Sequence, residues 1–175
     1  MENKEKRAFV LREVFGSVIL ATLHRSGLYL PEVSEAKRRQ FQDELRRRLE
    51  AYAQSYTSPV PEDEHEKNIG TLSEAPSSAY GSWFSEGQFR WGLAQTALNL
   101  YLKHLWCLGW IEMPPHCPIG AMVMAQVDVQ KSERWMRIDN RAVYQAIVHA
   151  AKVEAKGVPL ALWELHLSNR ANSAH

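Results

Sequence analysis

Apolar residues recur at helical spacing along most of the chain. Phe9, Val10, Val14, Phe15, Val18 and Ile19 predict a first helix over residues 4–24, with Gly27 as its stop. After Pro31, Ser34 is placed to cap a second helix reaching about residue 56. Phe41, Leu45, Leu49, Tyr52 and Tyr56 form its apolar stripe, and Arg39, Asp43, Arg46 and Glu50 its polar face. A third helix is expected from Ser85, where Ser85 and Gln88 have the spacing of a capping box, to Leu108, with Gly109 beyond it. Asp139 is placed to cap a further helix ending before Gly157, and Pro159 suits the first turn of a last one carrying Leu160, Leu162, Trp163 and Leu165.

Two stretches break the rhythm. Residues 57–82 hold Pro59, Pro61, Gly70, Pro76 and Gly81 among Glu62, Asp63, Glu64 and Glu66, and read as a mobile linker or a lid. Residues 131–138 have a weak strand character with nothing to pair with. The fold expected is mainly α: a single compact helical domain over residues 1–175, with five or six helices and one long irregular linker.

The third helix carries the only unusual chemistry. On a wheel of about 100° per residue, Gln88, Gly92, Gln95, Thr96, Asn99 and Lys103 share one arc, and most of the remaining circumference is apolar. A solvent face would normally be rich in Glu and Lys; amides, a hydroxyl and a glycine instead suit a lined pocket, or bonds to buried neighbours. Gln95 and Asn99 are therefore candidate ligand-binding residues, with Trp91 or Trp106 as a stacking surface. The following Pro114-Pro115-His116-Cys117-Pro118 loop holds His116 stiffly, as a general base or as a cap on a neighbouring helix. Lys103 is the one cation of the stripe.

Composition narrows the functional classes. The 175 residues carry 21 Lys and Arg against 20 Asp and Glu, so the net charge of +1 gives no general attraction to polyanions. The Arg46-Arg47-Arg48 run is interleaved with acids and reads as a solvated face more readily than as a phosphate patch. Two cysteines do not make a disulfide framework, and the spacing of His104, Cys107, His116 and Cys117 fits no common zinc pattern, so neither a metal nor another cofactor is expected. No run is long and apolar enough for a signal peptide or a membrane span, which makes a cytoplasmic protein the expectation.

The stretch Gln95-Thr96-Ala97-Leu98-Asn99-Leu100-Tyr101-Leu102-Lys103, followed by the proline-framed turn to Gly120, resembles the helix-hairpin-helix DNA glycosylases over about a fifth of the chain. In that family a helix lysine attacks the sugar and an aspartate after the turn assists. The resemblance implies Lys103 as the catalytic amine and candidate nucleophile, but Gly120 stands where the acid belongs, and the glycine-rich hairpin is absent. It implies a nucleic-acid or nucleobase binding protein of degenerate glycosylase type, with DNA or RNA as partner. The competing class is a non-enzymatic protein-interaction module, an inhibitor or adaptor, using a surface drawn from six tryptophans and six tyrosines.

Overall fold

A computed structural model describes residues 2–24, 26–127 and 135–173. Seven α-helices are found among them: α1 (Glu2–Thr22), α2 (Glu35–Ala53), α3 (Glu62–Tyr80), α4 (Trp91–Cys107), α5 (Ala121–Met124), α6 (Arg141–Ala155) and α7 (Leu160–Ser173). Among the described residues β-structure is limited to one bridge between Tyr29 and Phe84. The helices form one all-α body around α4, which packs against α1, α2, α3 and α6. Leu93, Ala94, Ala97, Leu98 and Leu102 of α4 are fully buried, and Trp91, Tyr101 and Leu105 nearly so. An apolar surface that extends around most of a helix forces that helix to the centre. None of the described helices is long and apolar enough to cross a membrane.

The main correction concerns residues 57–82. Glu62 to Tyr80 form the five-turn helix α3, not a linker. Pro61 stands just ahead of the first turn, where a missing N–H costs nothing, and Glu62, Asp63 and Glu64 favour the positive end of the helix dipole. His65, Ile69, Leu72, Ser73 and Pro76 form its buried face. Gly70 lets α3 lie close to α4, because a Cβ there would stand 3.3 Å from the Trp91 ring. Packing on α4 thus outweighs the local breakers, Pro76 inside the helix included.

Smaller differences have local causes. Helix α4 begins at Trp91 instead of Ser85, whose hydroxyl donates to the Gly27 carbonyl 2.6 Å away and so ties two loops together. Without a side-chain cap, α4 has its Gly92 N–H bonded to the Ile138 carbonyl at 2.8 Å. Gly92 is obligatory there: a Cβ would overlap the Trp135 carbonyl oxygen. Asn140, not Asp139, caps α6, accepting from Val143 N at 3.0 Å. Ser34 caps α2 as the sequence predicts. The strand expected at 131–138 lies largely outside the described residues, and its end, Trp135 to Arg137, is a 3-10 turn.

Candidate functional site

The amide stripe of α4 faces the interior. Gln95, Asn99 and His116 have no solvent exposure. The Gln95 amide nitrogen donates to the Ile119 carbonyl at 2.8 Å, while its oxygen accepts from Ile119 N at 3.0 Å, so this side chain clamps the proline-framed loop to α4. Asn99 Nδ2 donates to Gln95 Oε1 and to Tyr144 Oη of α6, both at 3.3 Å. Tyr144 Oη lies 2.9 Å from His116 Nδ1. With Asn99 donating to the phenol oxygen, the Tyr144 hydrogen goes to His116 Nδ1. The imidazole N–H is then Nε2, which points toward the Glu62 carboxylate 3.9 Å away. Lys152 closes this side of the network on Glu62 at 2.5 and 2.7 Å.

A second histidine joins it from α3. His65 Nδ1 is 2.7 Å from Tyr56 Oη, and its ring meets that of His116 edge-on at 4.9 Å. Burial pushes the His65 pKa down to about 3, helped by the neighbouring His116. Burial, then Lys152, pushes His116 down to about 4. Both rings are therefore neutral near pH 7, and the Tyr144 phenol, raised by burial, keeps its proton. The network is fitted for order, not for exchange with a ligand: Gln95, Asn99, His65, His116 and Tyr144 are sealed from solvent, and only Glu62 and Lys152 at its edge are exposed.

The open polar site is next door. A cleft of about 540 Å³ lies between α3 and the head of α6, edged by Glu66, Lys67, Glu74, Gln88, Asp139 and Arg141, with Trp91 among its lining residues. The Trp91 indole is fixed by Gly70 on one side and by the Tyr144 ring at 5.6 Å. Three donors converge on Glu66 Oε2: Arg141 Nε at 2.8 Å, Arg141 Nη2 at 2.7 Å and Gln145 Nε2 at 2.7 Å. They hold the carboxylate in place, and Oε1 takes none of the three. Ser73 and Ser77 secure the wall, donating to Phe89 O and accepting from Phe89 N respectively.

Lys103 belongs to neither array. Its Nζ is 2.6 Å from Glu164 Oε2 on α7 and donates to Ser168 Oγ at 3.0 Å, and Ser168 in turn donates to Glu164 Oε1. The structure thus unites Gln95, Asn99 and His116 through Tyr144, sets Trp91 against the same phenol, and separates Lys103 from all of them. The expected pocket bounded by Gln95, Asn99, Lys103 and His116 does not form, since three of the four are sealed inside. Trp106 is half-buried and lines neither the cleft nor the groove beside Lys103.

Of the residues that sequence reasoning missed, Glu62, His65 and Glu66 sit on α3, within the stretch read as a linker, and Arg141, Tyr144 and Gln145 on α6. His65, Ile69, Leu72 and Pro76 have helical spacing and carried the signal. The α2 arginines hold no free patch: Arg46 pairs with Glu50 at 2.8 Å, and Arg47 and Arg48 with Glu44 at 2.7 and 2.8 Å. Beyond α2 the sequence offers Lys131, Arg134 and Arg137 as phosphate contacts; Lys131 and Arg134 lie outside the described residues. Among the described residues no cluster of His, Cys, Asp and Glu could hold a metal ion. Comparison with protein-family models, with curated proteins and with solved structures finds no match.

Proposed function

We propose that the chain binds a planar polar ligand of nucleobase type in the cleft between α3 and α6. The observation that carries this reading is the immobilised Trp91 indole in a polar cleft, beside a carboxylate that three donors hold in a fixed orientation. A ring packed against the part of the indole that lines the cleft and donating an amino or imino hydrogen to Glu66 meets both kinds of contact that a base offers. Gln88, exposed at the edge, adds an amide that both donates and accepts.

Charge separates a free base from a strand. Glu66, Glu74 and Asp139 outnumber Lys67 and Arg141 around the cleft, and the α2 arginines are taken by their own glutamates. A phosphate chain gains little here, so a base or nucleoside is favoured over DNA or RNA. The glycosylase-like resemblance has one point of support in Glu164, a carboxylate that reaches Lys103 from α7 although Gly120 stands where the family has its acid. Because Lys103 lies outside the cleft, the reading is of binding without sugar chemistry.

The test is isothermal titration with nucleobases, nucleosides and single-stranded oligonucleotides at low and high salt. Trp91→Ala is expected to abolish binding, and Glu66→Gln to weaken ligands that carry an amino group at least tenfold. If no base or nucleoside binds, or if Trp91→Ala binds like the parent, the reading is wrong. The protein-interaction class has its own observation, a mostly apolar groove of about 440 Å³ between α1 and the end of α4, bordered by exposed Phe9 and Leu108.

A further inference from the structure

Tyr56, Tyr101 and Tyr144 are among the largest buried side chains, and one of them differs from the other two. Tyr56 Oη bonds His65 and Tyr144 Oη bonds His116. Tyr101, only 2% exposed, has no hydrogen-bond partner for its hydroxyl among the described residues. Buried hydroxyls normally find a partner, so an unused one calls for a reason. Tyr101 lines a pocket of about 240 Å³ where α1, α2 and the second half of α4 meet, and its oxygen is not sealed from solvent. Burial, then Glu50, pushes its pKa up to about 12, with Arg46 and Arg7 opposing. Near pH 7 the phenol therefore keeps its hydrogen and is a donor.

The same pocket has an unpaired cation at its rim. Arg7 Cζ lies over the Trp110 ring, 4.3 Å from its centre. An aromatic ring holds a guanidinium in place and leaves its remaining N–H groups to bind a carboxylate. Among the described side chains no carboxylate pairs with Arg7, and the neighbouring Glu50 is taken by Arg46 at 2.8 Å. Leu11, Ala53, Leu105 and Ile111 give the pocket apolar walls. At about 240 Å³ it falls below the roughly 300–1,000 Å³ of sites for drug-sized ligands, which limits the occupant to a single ring or a short chain.

We infer that this pocket is a binding site for a small organic monocarboxylate, the carboxylate held by Tyr101 Oη and Arg7 and the apolar body lying against Ala53, Leu105 and Trp110. One uncompensated cation matches one negative charge. An amine would find only Glu50, which Arg46 already neutralises, and a dianionic phosphate would meet that same carboxylate with a single free cation to balance it. The site is separate from the cleft between α3 and α6: the two share no lining residue, and Tyr101 stands about 15 Å further along α4 than Trp91. The inference therefore does not depend on base binding in that cleft.

The test is isothermal titration of the full chain with benzoate and hexanoate, and with benzamide, benzylamine and inorganic phosphate for comparison. Both carboxylates are expected to bind, benzoate at least tenfold more tightly than benzamide, benzylamine or phosphate, and less tightly as salt rises. Tyr101→Phe keeps the ring and removes only the hydroxyl, and should weaken benzoate about tenfold or more. Its thermal midpoint should match the parent's, because the lost hydroxyl has no internal partner. Arg7→Gln, at an exposed position, should bring benzoate down to the level of benzamide. The inference is overturned if neither carboxylate binds, if benzamide, benzylamine or phosphate binds as well as benzoate, or if either variant binds benzoate like the parent.

Discussion

On one side of Tyr144, Gln95 bonds the Ile119 backbone and Asn99, and Asn99 and His116 meet on the Tyr144 hydroxyl. On the other, across the Trp91 ring, Glu66, Gln88 and Arg141 edge a cleft open to water. The two arrays draw on overlapping side-chain chemistry and differ in what closes them. The first is sealed by the proline-framed loop below and α6 above. The second lies where α3 and the head of α6 diverge. Amides on a central helix are thus evidence of a polar interior, and whether that interior admits a ligand depends on the elements packed over it.

The sharpest way to break this contrast is Gln95→Ala. It orphans the Ile119 N–H and carbonyl and leaves Asn99 short of an acceptor, so a loss of about 4 kcal/mol in urea unfolding is expected. Ligand affinity of the fraction that stays folded should be unchanged. Reduced affinity in the folded protein would mean that the interior network is part of the cleft after all.

Acid should also act on the interior array. Both buried histidines have pKa values below those of the unfolded chain, about 3 for His65 and about 4 for His116, because burial disfavours their cations. The unfolded state therefore takes up more protons in acid. Their contribution is fully present above about pH 6.5 and is lost as pH falls through 6.5 toward 4 and then 3. For His116 the loss by the acid end is on the order of 3 kcal/mol, which a His116→Gln variant should lack in pH-dependent denaturation. A parent and variant with parallel pH profiles would contradict the neutral-imidazole network.

The smallest effect lies outside both arrays. Arg47→Ala removes an ion pair on the exposed face of α2 and should cost less than about 1 kcal/mol, with no change in the salt dependence of any ligand binding. A marked loss of oligonucleotide binding would restore the phosphate patch that the glutamates of α2 otherwise neutralise.

Helices α1, α2, α4, α6 and α7 were legible because their apolar spacing and the packing they obtain agree. Helix α3 was not, because Gly70 and Pro76 are locally breakers and become tolerable only against the flat Trp91 ring and the rest of α4. The candidate site followed the same division. Trp91 was identified from the sequence, and it lies in the cleft. The choice of Gln95 and Asn99 over Glu66 and Arg141 reflects a limit of periodicity, which marks the polar side of one helix but not the helix that will cover it. Lys103 was visible as an isolated cation, and its partner Glu164 sits on a helix whose approach no local pattern encodes.

The bond from Gly92 N–H to the Ile138 carbonyl has a consequence for the order in which the molecule matures. The central helix opens without a side-chain cap and borrows its cap from chain made much later. On the ribosome, α1 to α4 can emerge and begin to collapse while the first turn of α4 still lacks this partner. Only when residues 135–138 have left the exit tunnel does their backbone settle on the bare surface of Gly92, where any side chain would bar it. The final latch of the central helix is thus a late product of synthesis, so a nascent chain stalled before residue 138 should remain open to proteases at the head of α4.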